Sequence, residues 1–324
     1  MVPTGPLALG RRLHGVGTLL LPVCLGVLAA SLAAGTAADT ADQATSRLAV
    51  QARSGNDPGP TPVPASARGP VPAALTAGGA SFSIGTFNVL GSQHTAGRLP
   101  LGPGKERAAT AAKLILRKGF DVIGLQEVQP DQLRVLRRNL PDHDIWPGKT
   151  LGAGGVRLQI AYDRRVFSVV SSGSIDTPFD RQVRPMPWVE LQNLASGRSI
   201  YVVNTHNSPR GMEQERDVAT DQQVALIEQL RATRKAVFFL GDMNETREIF
   251  CKVAGRAGFD AANGGSATSR RDCTPPSGRI HIDWIFGAGP VSFTAYQWYA
   301  GRQVRATSDH HLIRAQVSVR PRSG

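Results

Sequence analysis

The stretch AVFFLGDMNE, residues 236–245, decides how the whole chain is read. An apolar run from Ala236 to Leu240 reaches Gly241, and Asp242 and Asn244 follow at once. A run this short and apolar reads as a strand with polar residues at its carboxyl end. Outward from it, the same design recurs. Ile84–Phe87 ends at Asn88, Val122–Gln126 at Glu127, and Tyr201–Thr205 at His206. Ile280–Ile282 delivers Asp283 ahead of Trp284, and Ser308-Asp309-His310 opens the last strand. Open α/β architectures gather ligands at strand ends, because the loops there converge on one crevice.

The residue types at these ends belong together chemically. Glu127 and Asp309 are hard oxygen donors of the kind Mg²⁺ takes. His206 and His310 can move a proton or meet charge that develops in a transition state. Taken singly, most have an ordinary explanation. Asn88 would be a turn residue, Glu127 an acid ahead of a helix starting near Pro130, and Asp242 turn chemistry after Gly241. Asp283 is harder to dismiss, since a carboxylate inside an apolar strand needs a partner. Six such ends in one chain ask for metal-assisted attack on a phosphate ester.

Around these ends the elements alternate. β-type runs occupy Phe82–Leu90, Val122–Gln126, Val156–Tyr162, Phe167–Ser171, Trp188–Leu194, Ser199–Thr205, Ala236–Leu240, His281–Phe286 and His311–Val319. Helical patterns fill Lys105–Leu116, Pro130–Leu140 and Glu213–Arg231. Pro130 stands near the first helical position, and Leu133, Leu136 and Leu140 share a face. Strand–helix alternation argues for α/β layers, while the pair Trp188–Leu194 and Ser199–Thr205, four residues apart, needs antiparallel pairing. A sandwich of mixed sheets meets both demands.

The chain has 324 residues and a formal charge of +12. Residues 1–38 carry Arg11 and Arg12, no acid, and an uncharged Leu/Ala-rich run from Leu13 to Ala38. That is the pattern of a secretory signal peptide, with small-residue cleavage points after Ala33 or Ala38. The rival reading is an uncleaved N-terminal anchor, since the run exceeds the ~20 residues that span a bilayer. Both place the remainder outside the cytoplasm, secreted or tethered to the membrane. Residues 39–80 hold six prolines between positions 58 and 72, interleaved with Ala, Gly and Ser, and read as a disordered linker. Residues 81–324 are then the folded domain, with 32 cations against 22 anions once the five arginines and three aspartates before it are removed. Its net +10 suits an anionic partner, although 31 of the chain's 37 cations are Arg, which lessens the weight of charge as a clue. The Walker phosphate loop, the nucleophile-elbow serine and the HExxH zinc helix are absent, which excludes the commonest nucleotide-hydrolysing, esterase and zinc-protease designs. Cys251 and Cys273 are the only thiols beyond the export segment, and an oxidising compartment predicts that they pair.

Six strings, in this order, carry a resemblance: SIGTFNVLG, DVIGLQEVQ, YVVNTHN, FFLGDMNE, IHIDWIFG and TSDHHLI. Together they resemble the endonuclease/exonuclease/phosphatase superfamily, the fold of pancreatic deoxyribonuclease, from Ser83 to Val317. The resemblance implies a four-layer α/β sandwich, two mixed β-sheets face to face with helices outside. It implies a Mg²⁺-dependent phosphodiesterase, with Mn²⁺ or Ca²⁺ as alternative ions. Glu127 would be the principal metal ligand, supported by Asn88 and Asp309. Asp242 would deprotonate the attacking water, Asn244 would hold it, and His310 paired with Asp283, together with His206, would stabilise the phosphorane. Leu90 departs from the DNA-repair branch, which carries an acid there, and Leu312 replaces a frequent proline.

Nucleic acid is the expected substrate, from the basic domain and the arginines near the predicted site. Alternatives are a sphingomyelinase or phospholipase C type, a small-molecule phosphoesterase, and a non-catalytic binding module on the same fold. Arg302 and Arg305, just ahead of Ser308, are candidates for substrate phosphate; Arg181, Arg184 and Arg210 are weaker ones. His94 reads as solvent-exposed, and His281 and His311 as pointing away from the site.

Overall fold

The computed structural model describes residues 78–95 and 101–321. The export segment and all but the last few residues of the linker lie outside the described residues. Among the described residues, no helix is long and apolar enough to cross a membrane.

In chain order the first half runs β1 (Ala80–Asn88), α1 (Gly104–Lys118), β2 (Val122–Gln126), α2 (Pro130–Asn139), β3 (His143–Trp146), the short α3 (Gly152–Gly155) and β4 (Leu158–Asp163). Next come β5 (Phe167–Phe179), β6 (Gln182–Asn193), β7 (Ser199–His206), α4 (Glu213–Ala232), β8 (Ala236–Asp242) and α5 (Arg247–Ala257). The chain closes with β9 (Asp260–Ala261), β10 (Ser266–Ala267), β11 (Cys273–Thr274), β12 (Asp283–Ala288), β13 (Val291–Tyr299), α6 (Arg302–Arg305) and β14 (Leu312–Val319). One six-stranded sheet has the order β13-β14-β1-β2-β4-β3, the other β5-β6-β7-β8-β12-β9. Both are mixed. Each contains a parallel pair, β1 with β2 and β7 with β8, joined by a helix.

Strand alternation sorts the side chains into three cores. Phe82, Ile84 and Val122 of the first sheet meet Val202, Phe238, Leu240 and Ile285 of the second. The rings of Phe82 and Phe238 cross edge to face at 5.5 Å. The opposite faces carry Phe87, Ile123 and Leu125 against α1 and α2, and Val237, Phe239 and Phe286 against α4 and α5. The result is helix, sheet, sheet, helix, as the resemblance implied.

The inter-sheet seam changes character along its length. On the face of β8 that bears Phe238 and Leu240, the next residue is Asp242. In β1 the face of Phe82 and Ile84 continues to Thr86 and Asn88; in β7 that of Ile200 and Val202 continues to Asn204 and His206. Midway, the buried Asn204 ties the sheets together: it accepts from Gln126 Nε2 at 2.6 Å and donates to the carbonyls of Leu125 and Gln159. Gly124 makes that approach feasible, because a Cβ there would collide with Leu240 and Asn204.

Cys251 of α5 and Cys273 of β11 form a disulfide, with Cα atoms 5.6 Å apart. Several elements differ from the sequence reading. β5 and β6 form a longer hairpin than their apolar parts, and α5 and β13 occupy segments to which no element was assigned.

Candidate active site

The carboxyl ends of the two parallel pairs meet at the polar end of the seam. Registry puts Asn88 beside Gln126, and His206 beside Asp242. β12 runs antiparallel to β8, so its first residue, Asp283, lies opposite Asp242. Glu127 follows β2, and continued extended backbone would send it to the helical side with Ile123 and Leu125. A left-handed φ of 62° marks the chain's departure from the strand at this residue. Leu90 and Asn244 take the same conformation, at 52° and 51°. Such backbone costs about 1–3 kcal/mol per residue and persists only where surrounding contacts enforce it.

Those contacts are present. Asn88 Nδ2 donates to Glu127 Oε1 at 2.9 Å and to Asp242 Oδ2 at 3.1 Å. The second Glu127 oxygen accepts the Gly91 N–H at 2.9 Å. Leu90 N–H donates to Asn88 Oδ1, and Asn244 N–H to Asp242 Oδ1, both at 3.0 Å. Asp242 Oδ2 also lies 3.3 Å from His206 Nε2 and 3.5 Å from His310 Nε2. On its other side His310 meets Asp283, with Nδ1 3.0 Å from Oδ2. Asn244 Nδ2 donates to the carbonyl of Asn207.

These surroundings split the titrations. Burial pushes the Asp242 carboxyl up, with the nearby Asp283 adding to it against the two histidines. Burial opposes the charged form of His310, but Asp283 outweighs it and carries the imidazole up to about 10. Burial holds His206 below its ordinary value, against the opposing pull of Asp242 and Glu127. Burial would raise Glu127 as well; His206, the Gly91 N–H and the Asn88 amide reverse that and keep it low. One carboxyl is therefore inclined to take a proton, and one imidazole to hold one.

Two supports had no role in the sequence reading, Ser308, known only as a neighbour of His310, and Arg107. Ser308 Oγ donates to the Asn88 carbonyl at 2.7 Å and accepts the His310 N–H at 3.1 Å, which locks the two loops together. Arg107, buried in α1, donates through Nη1 to the carbonyls of Val89, Leu90 and Thr307. Its signal was a charge on the apolar stripe of Ala108, Ala111 and Ala112. Two further arginines border the site. Arg184 sits with its guanidinium 3.5 Å from the centre of the Phe179 ring, and Phe179 stands edge-on to His206 at 4.8 Å. The Arg157 carbonyl accepts the N–H of Val128, beside Glu127.

Not every candidate converges. Asp309 is exposed, and its carboxylate meets only the Ser308 hydroxyl, at 3.4 Å. Arg302 and Arg305 flank the buried Val304 on the one-turn α6. Arg302 lines a surface groove with Arg117, Lys118 and Tyr299, and Arg305 bonds back to the Ala300 carbonyl. Neither guanidinium contacts the site. His94 is about half exposed, as read, yet its Nε2 lies 3.1 Å from Glu127. His281 and His311 pack on each other and on Trp298, apart from the Asp283–His310 pair.

Fold and site together define a metal-dependent phosphoric ester hydrolase. A family model for the endonuclease/exonuclease/phosphatase family matches residues 85–310, and the chain belongs to that family. Among solved structures, the endonuclease/exonuclease/phosphatase from Bacteroides vulgatus superimposes with a TM-score of 0.59 at 20% identity, covering 74% of this chain and 99% of that one. D. rerio TDP2 complexed with a single-strand DNA product gives 0.55 at 21% identity, over 73% and 98%. The mannosyl-6-phosphatase of Bacteroides thetaiotaomicron gives 0.56 at 18%, over 73% and 99%. Curated protein sequences return no match.

Proposed function

We propose that the protein is an exported, Mg²⁺-dependent phosphodiesterase that cleaves nucleic acid. The observation that carries the chemistry is Asp242 Oδ2, held within 3.5 Å of two imidazoles and of the Asn88 amide. Asp242, its carboxyl raised by burial, accepts the proton of the attacking water. Asn244 keeps that carboxylate aimed through its backbone N–H. His310, held cationic by Asp283, presents Nε2–H to a phosphoryl oxygen and hands the proton to the leaving oxygen. His206, buried and edge-on to Phe179, completes the pocket with its Nε2 3.3 Å from Asp242.

The donor chemistry fits a hard divalent ion. Glu127, Asp242 and Asp283 crowd one pocket with one cationic imidazole, an excess of negative charge that a cation would relieve. Asp242, Asp283 and His310 also come within 4.8 Å of one another, but Asp283 already occupies the His310 Nδ1, so that trio reads as a dyad and a base. Glu127 and the Asn88 amide would hold the ion, with Asp309 at the rim. When bound, it would supply charge to polarise the phosphate. TDP2 with its DNA product supports the nucleic-acid reading, and the domain's net +10 agrees with it. Export rests on the N-terminal sequence pattern. Assays on plasmid DNA, sphingomyelin and inositol phosphates, with Mg²⁺ and with chelator, test the reading. Mg²⁺-dependent cleavage of sphingomyelin but not DNA would replace it.

A further inference from the structure

Arg157 and Arg184 stand on segments that border the site, and among the described residues neither has an anionic partner. Arg184 comes from β6, just behind the hairpin tip, and rests on Phe179, which in turn touches His206. Arg157 immediately precedes β4, whose first residue pairs with Gln126, so its backbone runs beside Glu127. Pro185 packs against Gly154 and Gly155, bringing the two arginine-bearing segments together. Both side chains are half-buried. Among the described residues, neither guanidinium makes a hydrogen bond or an ion pair. Three buried cations behave differently: Arg107 is bonded to carbonyls, and Arg216 and Lys252 to carboxylates. Burial, then the like charge of Arg157, pushes the Arg184 guanidinium down to about 10, against the pull of Glu127 and Asp180. Burial likewise lowers Arg157.

Two cations on adjoining segments, partly desolvated and without anionic partners, are costly unless an anion arrives. A guanidinium offers a planar fork that matches a phosphate, and two of them offer more donors than one phosphate oxygen needs. We propose that Arg157 and Arg184 form a second-anion subsite, which takes the phosphate next to the scissile one. This rests on the phosphodiesterase reading and narrows it. A nucleic-acid strand supplies such a phosphate one nucleotide away. The choline group of sphingomyelin carries the opposite charge and would meet repulsion there, which separates the two leading substrate classes on electrostatic grounds.

Dithymidine monophosphate and its 5′- and 3′-phosphorylated forms test the subsite. In wild type, one phosphorylated form should bind at least about tenfold more tightly than the unphosphorylated dinucleotide, measured by calorimetry in chelator. That ratio should fall toward one in Arg184→Gln and in Arg157→Gln, with Arg184→Lys between. For a longer oligothymidylate, each loss should reduce the salt dependence of binding by about one phosphate contact. Thermal midpoints identify any variant that fails to fold, and the two positions provide independent checks. Equal wild-type binding of the three dinucleotides overturns the subsite. So does an unchanged ratio in both glutamine variants. A larger gain from inositol 1-phosphate to inositol 1,4-bisphosphate than across the dinucleotides overturns the strand assignment. Hydrolysis of bis(p-nitrophenyl) phosphate by wild type, read separately, tests the phosphodiesterase reading itself.

Discussion

Among the described residues, two clusters of acids invite comparison, one at the polar end of the seam and one between α4 and α5. In the second, Lys252 Nζ contacts Glu213, Asp217 and Glu245 at 2.7–2.8 Å, while Arg216 reaches Glu213 and Glu245. Glu213, Glu245 and Glu248 come close enough to suggest a cation site, but the ammonium of Lys252 already fills that role for two of them. In the first cluster, Glu127, Asp242 and Asp283 face amides and imidazoles instead, and of these only His310 is driven toward a full positive charge. The difference teaches how to tell a brace from a site. Where fixed cations bond directly to the acids, the cluster is braced. Where amides and imidazoles stand in for cations, charge is left over for a metal or a substrate.

The contrast can be broken in several places. The largest effect belongs to the site. His310→Ala should lower turnover by ~10²–10⁴-fold at every Mg²⁺ concentration, because general acid–base groups are worth that much. Glu127→Gln should also lose activity but regain part of it with excess Mg²⁺, and its melting midpoint should stay within about 2 °C or rise. Turnover curves against Mg²⁺ decide this; rescue of His310→Ala and not of Glu127→Gln would reverse the roles. On the brace side, α5 is fastened twice. Breaking the Cys251–Cys273 bond, which closes a loop of 22 residues, should cost ~3 kcal/mol on the chain-entropy model. Denaturant titration with and without reductant measures the cost, and thiol titration of the oxidised, denatured protein should find no free thiol.

Lys252→Met should cost roughly 2 kcal/mol, below the 3–5 kcal/mol of a fully buried broken pair, because Glu213 and Asp217 face solvent on one side. Activity per folded molecule should be unchanged. A loss of turnover with no loss of stability would make this cluster part of the site. The smallest effect is a pH dependence. Hydrogen bonds from Lys252 hold the Glu213 carboxyl down at about 2, against an ordinary value of 4.5. A lowered folded value means stability that is present above pH 4.5 and lost as pH falls toward 2. Lys252→Met should flatten that part of the stability profile, and an identical acid slope in both proteins would show that the brace does not titrate.

Much of this was legible because strand ends are sequence-local. Asn88, His206 and Asp242 sit where an apolar strand stops and Asp283 where one begins, and the run itself fixes their place. Glu127 was found by position, although its left-handed backbone was not foreseeable from residue types. Arg302 and Arg305 misled because nearness in sequence to Ser308 says nothing about which way a one-turn helix faces. Arg184 was ranked low and Arg157 was not named for the converse reason: their place at the site depends on a hairpin whose outer half, Ser172–Thr177, is too polar to announce a strand. That half lies in the edge strand β5, where one side needs no burial. β13 was not delimited as a run because its exposed and half-buried residues dilute the alternation.

The seam has one more consequence, for quality control rather than chemistry. Phe238, Leu240 and Asp242 share a strand face, as do Ile200, Val202 and His206. A one-residue slip in either strand would remove the reactive group from the pocket and, in the same movement, exchange the side chains packed in the two cores on either side of the sheet. An inactive misregistered molecule is thus also a mispacked one. Folding proofreads the catalytic residues, because the aliphatic and aromatic residues behind them are the error signal.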